Sequence, residues 1–190
     1  MISILAFAGS ARRDSWNKKL IRSAVASAKN AGAEVTLIDL ADYRLPLYDG
    51  DLEAAEGVPE NALKLKALFK AHQGFLIASP EYNSSITPLL KNTLDWISRE
   101  WQGESGLVPY RHKVAAIMGA SPGPFGGMRM LPHLRQILNT LGVLVLPDQL
   151  SVPKTGEAFD HEGNLKSTER LDELVAELLR VTGGLSSGAA

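Results

Sequence analysis

The chain is expected to fold as one doubly wound α/β domain, a parallel sheet with helices on both faces. Three observations predict this. Apolar runs of strand length alternate with segments of helical periodicity. The 190 residues suffice for one full core and are too few for two comfortable ones. Three short loops, residues 9–15, 80–84 and 119–127, each stand where an apolar strand ends.

The elements follow in order. Ile2–Ala8 is a compact apolar run and gives the first strand. Leu20, Ile21, Ala24, Val25 and Ala28 recur at helical spacing, which predicts a helix over roughly Trp16–Ala31, closed by Gly32. Glu34–Asp39 is the second strand. Leu45 to Pro59 carries Pro46, Gly50 and Gly57 and is expected to be a surface excursion. Pro59 suits the first turn of a helix that runs to about Ala71, with Leu65, Leu68 and Phe69 inward. Gly74–Ser79 is the third strand.

Thr87-Pro88 is a helix start, a hydroxyl cap followed by a proline where no N–H is needed. Leu90, Leu94 and Ile97 mark the buried face of that helix. Trp96 and Trp101 flank its end and suit either the core or an interface. Lys113–Gly119 is the fourth strand. Leu131, Leu134, Leu138 and Leu141 mark the next helix, Gly142 stops it, and Val143–Leu146 is a fifth strand. The last helix spans roughly Thr168–Thr182, so residues 1–182 form the domain, and 183–190 are expected to be a disordered tail. Five strands so spaced suit the flavodoxin-like order 2-1-3-4-5, in which a flavin mononucleotide (FMN) binds at the switch point between strands 1 and 3.

Composition removes several classes of function. The formal net charge of −1 leaves no electrostatic footprint for nucleic acid or an acidic membrane surface. The absence of cysteine excludes disulfides, thiolate nucleophiles, iron–sulfur clusters and cysteine-ligated zinc. His72, His112, His133 and His161 lack metal-ligand spacing, and no metal site is expected. The apolar start is short, with no basic residue before it, so it reads as a buried strand and not a signal peptide. No run approaches membrane-spanning length, and a cytoplasmic enzyme is the default.

The loops carry the chemistry. Ser10, Arg12 and Ser15 precede the helix that starts Trp16-Asn17. A helix N-terminus presents unpaired N–H groups and partial positive charge, so a phosphate there meets amides, two hydroxyls and a guanidinium. The loop is neither G-x-x-x-x-G-K-[ST] nor G-x-G-x-x-G, which argues against a nucleoside triphosphatase and a dinucleotide Rossmann site. Asp39 stands near where a ribose-binding acid would fall and is read as a solvated strand end. In Pro80-Glu81-Tyr82-Asn83-Ser84, Tyr82 suits the face of a flat ring, and Asn83 with its neighbours suits the ring's polar edge. Together the loops read as an FMN site.

The third loop also supports a rival. Gly119-Ala120-Ser121-Pro122-Gly123 matches the G-x-S-x-G nucleophile elbow of serine hydrolases, with Asp148 or Asp160 and then His161 following in order. The residue after the serine should donate its N–H to the oxyanion, and Pro122 has none. Losing one such donor costs about 2.7–4 kcal/mol of transition-state stabilisation. Ser121 is better read as a hydroxyl facing the flavin. A second rival is a flavodoxin-like binding domain without catalysis.

Gly9-Ser10-Ala11-Arg12-Arg13-Asp14-Ser15-Trp16-Asn17 resembles the G-S-x-R-x-x-S-x-N phosphate loop of the NADPH-dependent FMN reductase family, the group that includes chromate, quinone and azo-dye reductases. Pro80-Glu81-Tyr82-Asn83-Ser84 with Lys91-Asn92 and Asp95-Trp96 is similar to that family's P-E-Y-N…K-N-x-x-D-W segment, and residues 119–129 to its loop after strand four. The resemblance runs from Ile2 to about Leu179. It implies Ser10, Arg12, Ser15 and Asn17 on the FMN phosphate. It implies Pro80, Glu81, Tyr82, Asn83 and Ser84 around the ring, and Ser121 and Gly123 opposite. It implies ping-pong transfer from NADPH or NADH through FMN to a small acceptor, with no essential side-chain acid or base and so no catalytic residue. It also implies a homodimer or homotetramer, with the helix Thr87–Ser98 and the Trp101 segment as the expected interface.

Overall fold

A computed structural model describes residues 1–187 of the chain. Its strands are β1 (Ser3–Ala8), β2 (Glu34–Asp39), β3 (Gly74–Ala78), β4 (Val114–Ala120), β5 (Leu144–Val145) and β6 (Leu150–Val152). Its helices are α1 (Trp16–Asn30), α2 (Gly50–Glu56), α3 (Glu60–Ala71), α4 (Pro88–Ile97), α5 (Met130–Thr140), α6 (Thr155–Ala158) and α7 (Glu169–Ser187). The sheet order is β2-β1-β3-β4-β5, all parallel, the flavodoxin-like arrangement. Among the described residues no helix is long and apolar enough to cross a membrane.

Strand alternation sorts the core into two layers. Ile4, Ala6 and Ala8 of β1, with Ala78 of β3 and Ala116 and Ala120 of β4, face α1 and α7. Leu5, Phe7, Phe75 and Ile77 face α3, α4 and α5. The alanines let α1 lie close to the sheet, while the other layer holds the bulk: Phe69 packs 5.4 Å from Phe7 and 4.8 Å from Phe75. Truncating such a ring to alanine costs roughly 3–5 kcal/mol.

Several expectations are revised. The excursion between Leu45 and Pro59 contains α2, a helix with no buried residue and hence no apolar stripe to betray it. Pro59 caps α3 from outside and does not occupy its first turn. The fifth strand is split: β5 pairs with Val114 and Ala115, and β6 resumes beside Met118, Gly119 and Ala120. Across the break the Arg135 guanidinium donates to the carbonyls of Val145 (3.2 Å), Leu146 (2.7 Å) and Pro147 (3.1 Å) and to Gln149 Oε1 (3.1 Å). Trp96 is fully buried with Val58 and Ala62, so it is core and not surface. Helix α7 continues to Ser187, so 183–187 of the expected tail are helical, and 188–190 lie outside the described residues.

Candidate functional site

Ala8, Ala78 and Met118 stand side by side in register at the carboxyl edge of the sheet. One residue further on, Gly9 N donates to Ala78 O (2.8 Å) and Ser79 N to Met118 O (3.0 Å). The three loops therefore leave the sheet level with one another. They enclose a cavity of about 230 Å³ lined by Ser10, Arg12, Ser15, Asn17, Pro80, Glu81, Tyr82 and Ser121. Asn83, Ser84 and Gly123 stand beside it without forming its wall. Trp16, Ala120 and Pro122 line it as well and were missed, although each adjoins a residue singled out above.

At the α1 end of the cavity Ser10 and Ser15 are buried, while Arg12 and Arg13 are exposed and have no ion-pair partner among the described residues. Ser15 occupies the N-cap position of α1 yet makes no capping bond. A capping serine normally accepts from an N–H of the first turn. Here that turn and the Ser15 hydroxyl are left for an outside anion. Asn17 behaves otherwise: its Nδ2 donates to Ala120 O and its Oδ1 accepts from Ala120 N, both at 2.9 Å. Its side chain clamps the start of α1 to the end of β4, at the wall of the cavity.

At the ring end Tyr82 and Ser85 exchange backbone hydrogen bonds at 3.0 Å each way across Asn83 and Ser84. Both central residues have positive φ, 50° and 65°, a tight primed turn that favours asparagine or glycine. Glu81 does not point a free carboxylate at the ring. It accepts from the backbone N–H of Arg129 (2.9 Å) and Met130 (3.2 Å) and pairs with the Arg129 guanidinium. Thr87 Oγ1 donates to Gly9 O (2.7 Å) and accepts from Leu90 N (3.2 Å), so the cap of α4 also holds the first loop.

The third loop is braced from behind. Ser121 N donates to Val152 O (3.1 Å), Lys154 N to Gly123 O (3.2 Å) and Ser151 Oγ to Phe125 O (2.8 Å). Gly126 has φ +57°, and a Cβ there would sit 2.5 Å from Pro153 N, so this approach requires glycine. Tyr82, Phe125 and Met128 stay about half exposed at the rim.

Ser121 Oγ accepts from Gly123 N (3.2 Å), a local turn and not a nucleophile–histidine pair. The Asp160 carboxylate is spent on Glu162 N and Asn164 N, and these bonds hold its pKa below the usual range. Among the described residues no three His, Cys, Asp or Glu side chains gather as metal ligands.

A phosphate monoester fits the Ser10–Ser15 end, with its uncapped helix and unpaired arginines. A planar ring fits the slot between Pro80–Tyr82 and Ala120–Pro122. These are the two ends of FMN.

Comparison with known proteins agrees. The family described as NADPH-dependent FMN reductase matches residues 2–157. An NAD(P)H-dependent FMN reductase of Pseudomonas aeruginosa is 34% identical, covering 94% of this chain and 90% of its own length. A quinone reductase of Escherichia coli K12 is 33% identical over 84% of this chain and 86% of its own. The flavoenzyme NAD(P)H:acceptor oxidoreductase FerB of Paracoccus denitrificans superposes with a TM-score of 0.78 at 26% identity, covering 98% of both chains.

Proposed function

The chain belongs to the NADPH-dependent FMN reductase family, and from that premise we propose that its three loops hold FMN for electron transfer from NAD(P)H to a small planar acceptor, a quinone foremost. It is an FMN-dependent NAD(P)H oxidoreductase and not a serine hydrolase. The observation that carries the reading is the convergence of the three loops on one cavity with an uncapped helix at one end.

Bound FMN supplies the hydride relay, and the two substrates occupy the same opening in turn. The protein's share is placement and electrostatics. Ser10, Arg12 and Ser15 hold the phosphate dianion, with charge-assisted bonds from the guanidinium. Tyr82 and Ser121 would flank the ring from the two loops, with Asn83, Ser84 and Gly123 beside them. Glu81 and Asn17 line the cavity and fix the spacing of its loops through their bonds to Arg129, Met130 and Ala120. No side chain is assigned a proton-transfer role. Pro122 and Pro124 stiffen the third loop and narrow the acceptor space.

The working form is a homodimer or homotetramer in the cytoplasm. Helix α4 and the Trp101 segment form the expected contact, and the exposed Leu47 adjoins α4 through Pro46, whose carbonyl accepts from Asn92 Nδ2 and Trp96 Nε1 at 2.8 Å each.

FMN titration with riboflavin alongside tests the reading, followed by steady-state kinetics with NADPH and menadione. FMN should bind far more tightly than riboflavin, and double-reciprocal plots should be parallel. Equal binding of the two ligands removes the phosphate-loop assignment.

A further inference from the structure

The cavity between the three loops measures about 230 Å³, below the roughly 300–1,000 Å³ of ordinary small-molecule pockets. It has room for FMN and little else. An acceptor laid against the flavin ring must therefore project past the mouth. The residues around the mouth then decide what the projecting part can be.

Three large apolar side chains stand there. Tyr82 reaches the mouth from the second loop at 47% exposure, and Phe125 and Met128 reach it from the third at 51% each. Phe125 is held in place. Its carbonyl accepts from Ser151 Oγ (2.8 Å) and from Met128 N (2.9 Å), which closes a turn with Phe125 and Met128 at its two ends. The Arg129 guanidinium lies over the Phe125 ring, 5.0 Å from its centroid, and is itself tied to Glu81. Glu81 is taken up by Arg129 and Met130, so it offers no free carboxylate beside the ring. Phe125 is thus a half-exposed aromatic surface fixed before anything lands on it, and contact with it needs little further ordering. Neither Phe125 nor Met128 lines the flavin cavity itself.

From this geometry we infer that Phe125 and Met128 form an outer acceptor subsite, which selects quinones carrying an apolar extension beyond the reacting ring, a fused ring or an alkyl chain, over monocyclic ones. The inference rests on the flavoenzyme reading and deepens it. The reacting ring lies on the flavin, and the extension lies on Phe125 and Met128. Flat apolar area stacked on a phenylalanine is favourable, and an acceptor too small to reach it gains nothing from it. The two residues are therefore specificity residues, distinct from those that hold FMN.

The test compares FMN-loaded wild type with Phe125→Ala, Met128→Ser and Phe125→Trp, using menadione and 1,4-benzoquinone as acceptors with and without a fused ring. In Phe125→Ala, kcat/KM for menadione should fall about tenfold while that for benzoquinone stays within about twofold. Met128→Ser should show a smaller loss of the same selectivity, and Phe125→Trp should keep the preference for menadione. Binding without turnover is read from the flavin absorbance of the oxidised protein titrated with 1-naphthol. Its Kd should rise about tenfold in Phe125→Ala and stay near the wild-type value in Phe125→Trp. Equal losses for both quinones, no loss for menadione, or no saturable 1-naphthol binding by the wild type overturns the inference. So does a lower mass of Phe125→Ala in light scattering, which would make the rim a subunit contact. Failure of the flavoenzyme reading shows separately and takes the inference with it, as a wild-type protein that retains no FMN before any acceptor is added.

Discussion

Glu81 and Arg129 are joined both through backbone and through side chain. The carboxylate accepts from Arg129 N at 2.9 Å and from Arg129 Nε at 2.7 Å. Glu81 follows β3 and Arg129 directly precedes α5, so this one pair sets the distance between the two loops that flank the ring slot. The Glu81 side chain is 8% exposed, and its charge also lies at the N-terminus of α5, where the helix dipole favours it.

Glu81→Gln should therefore loosen the slot without emptying it. FMN affinity should fall about tenfold, roughly 1.4 kcal/mol, in a fluorescence titration. The melting temperature should drop by about 2–4 °C for each kcal/mol of stability lost. The double variant with Arg129→Ala should show less than the sum of the single effects, because both remove one interaction.

Ser15→Ala should separate ligand binding from helix stability. A capping serine costs roughly 0.5–2 kcal/mol to replace. Ser15 makes no cap, so urea unfolding of the flavin-free protein should move by less than about 0.5 kcal/mol. FMN should bind at least about tenfold more weakly, since a hydrogen bond to a charged group contributes roughly 1.5–3 kcal/mol. Riboflavin affinity should stay constant. A large stability loss would show that the serine is a structural cap in solution.

Asn17→Ala should behave in the opposite way. It strands the N–H and the carbonyl of Ala120, both buried, and each such group costs about 1–3 kcal/mol. Unfolding in urea should show a loss of about 2–4 kcal/mol in the flavin-free protein. Asn17→Asp should not rescue it, since a carboxylate oxygen would then oppose the Ala120 carbonyl.

Lys66 and Lys113 give the stability its alkaline pH dependence. Burial lowers the pKa of both ammonium groups, and their protons reach only backbone carbonyls, Arg99 O for Lys66 and those of Lys70 and His72 for Lys113. The folded protein releases these protons at lower pH than the unfolded chain, whose lysines titrate near about 10.4. Between the lowered folded value and that point the unfolded state holds more protons, so stability should rise with pH. Denaturant midpoints measured from neutral pH to about pH 10, below the range in which the burial-raised Tyr110 phenol reverses the trend, should show this rise, and Lys66→Met should flatten it. A curve of unchanged slope in the variant would exclude Lys66 as a source.

What the sequence disclosed and what it hid divide along a physical line. Apolar periodicity located the strands that build the sheet, and the Thr87 cap is where a hydroxyl followed by proline places it. That Ser10, Arg12 and Ser15 share one cavity was legible because they are neighbours in the chain. The partners of Asn17 and Glu81 were not. Ala120 lies 103 residues from Asn17, and Arg129 lies 48 from Glu81. A side chain bonded to a distant backbone group leaves no periodic trace. Both residues line the cavity, and only the fold shows that their side chains also brace it. Helix α2 was hidden for another reason: only Leu52 packs inward, and that partly, so its Asp49 cap, which accepts from Asp51 N at 2.8 Å, is its main mark. The second tryptophan could be placed only once its indole N–H was seen to reach Pro46 O.

The break in the fifth strand bears on how the protein behaves when crowded. A sheet edge with a long row of free N–H and C=O groups templates the addition of strands from other copies, the first step towards aggregation. Here that edge offers two residues of β5, then Pro147 without an N–H and carbonyls already taken by Arg135, then three residues of β6. No stretch of it is long enough to recruit a foreign strand. The interruption that makes this side of the sheet irregular also lets the chain be concentrated without polymerising through it.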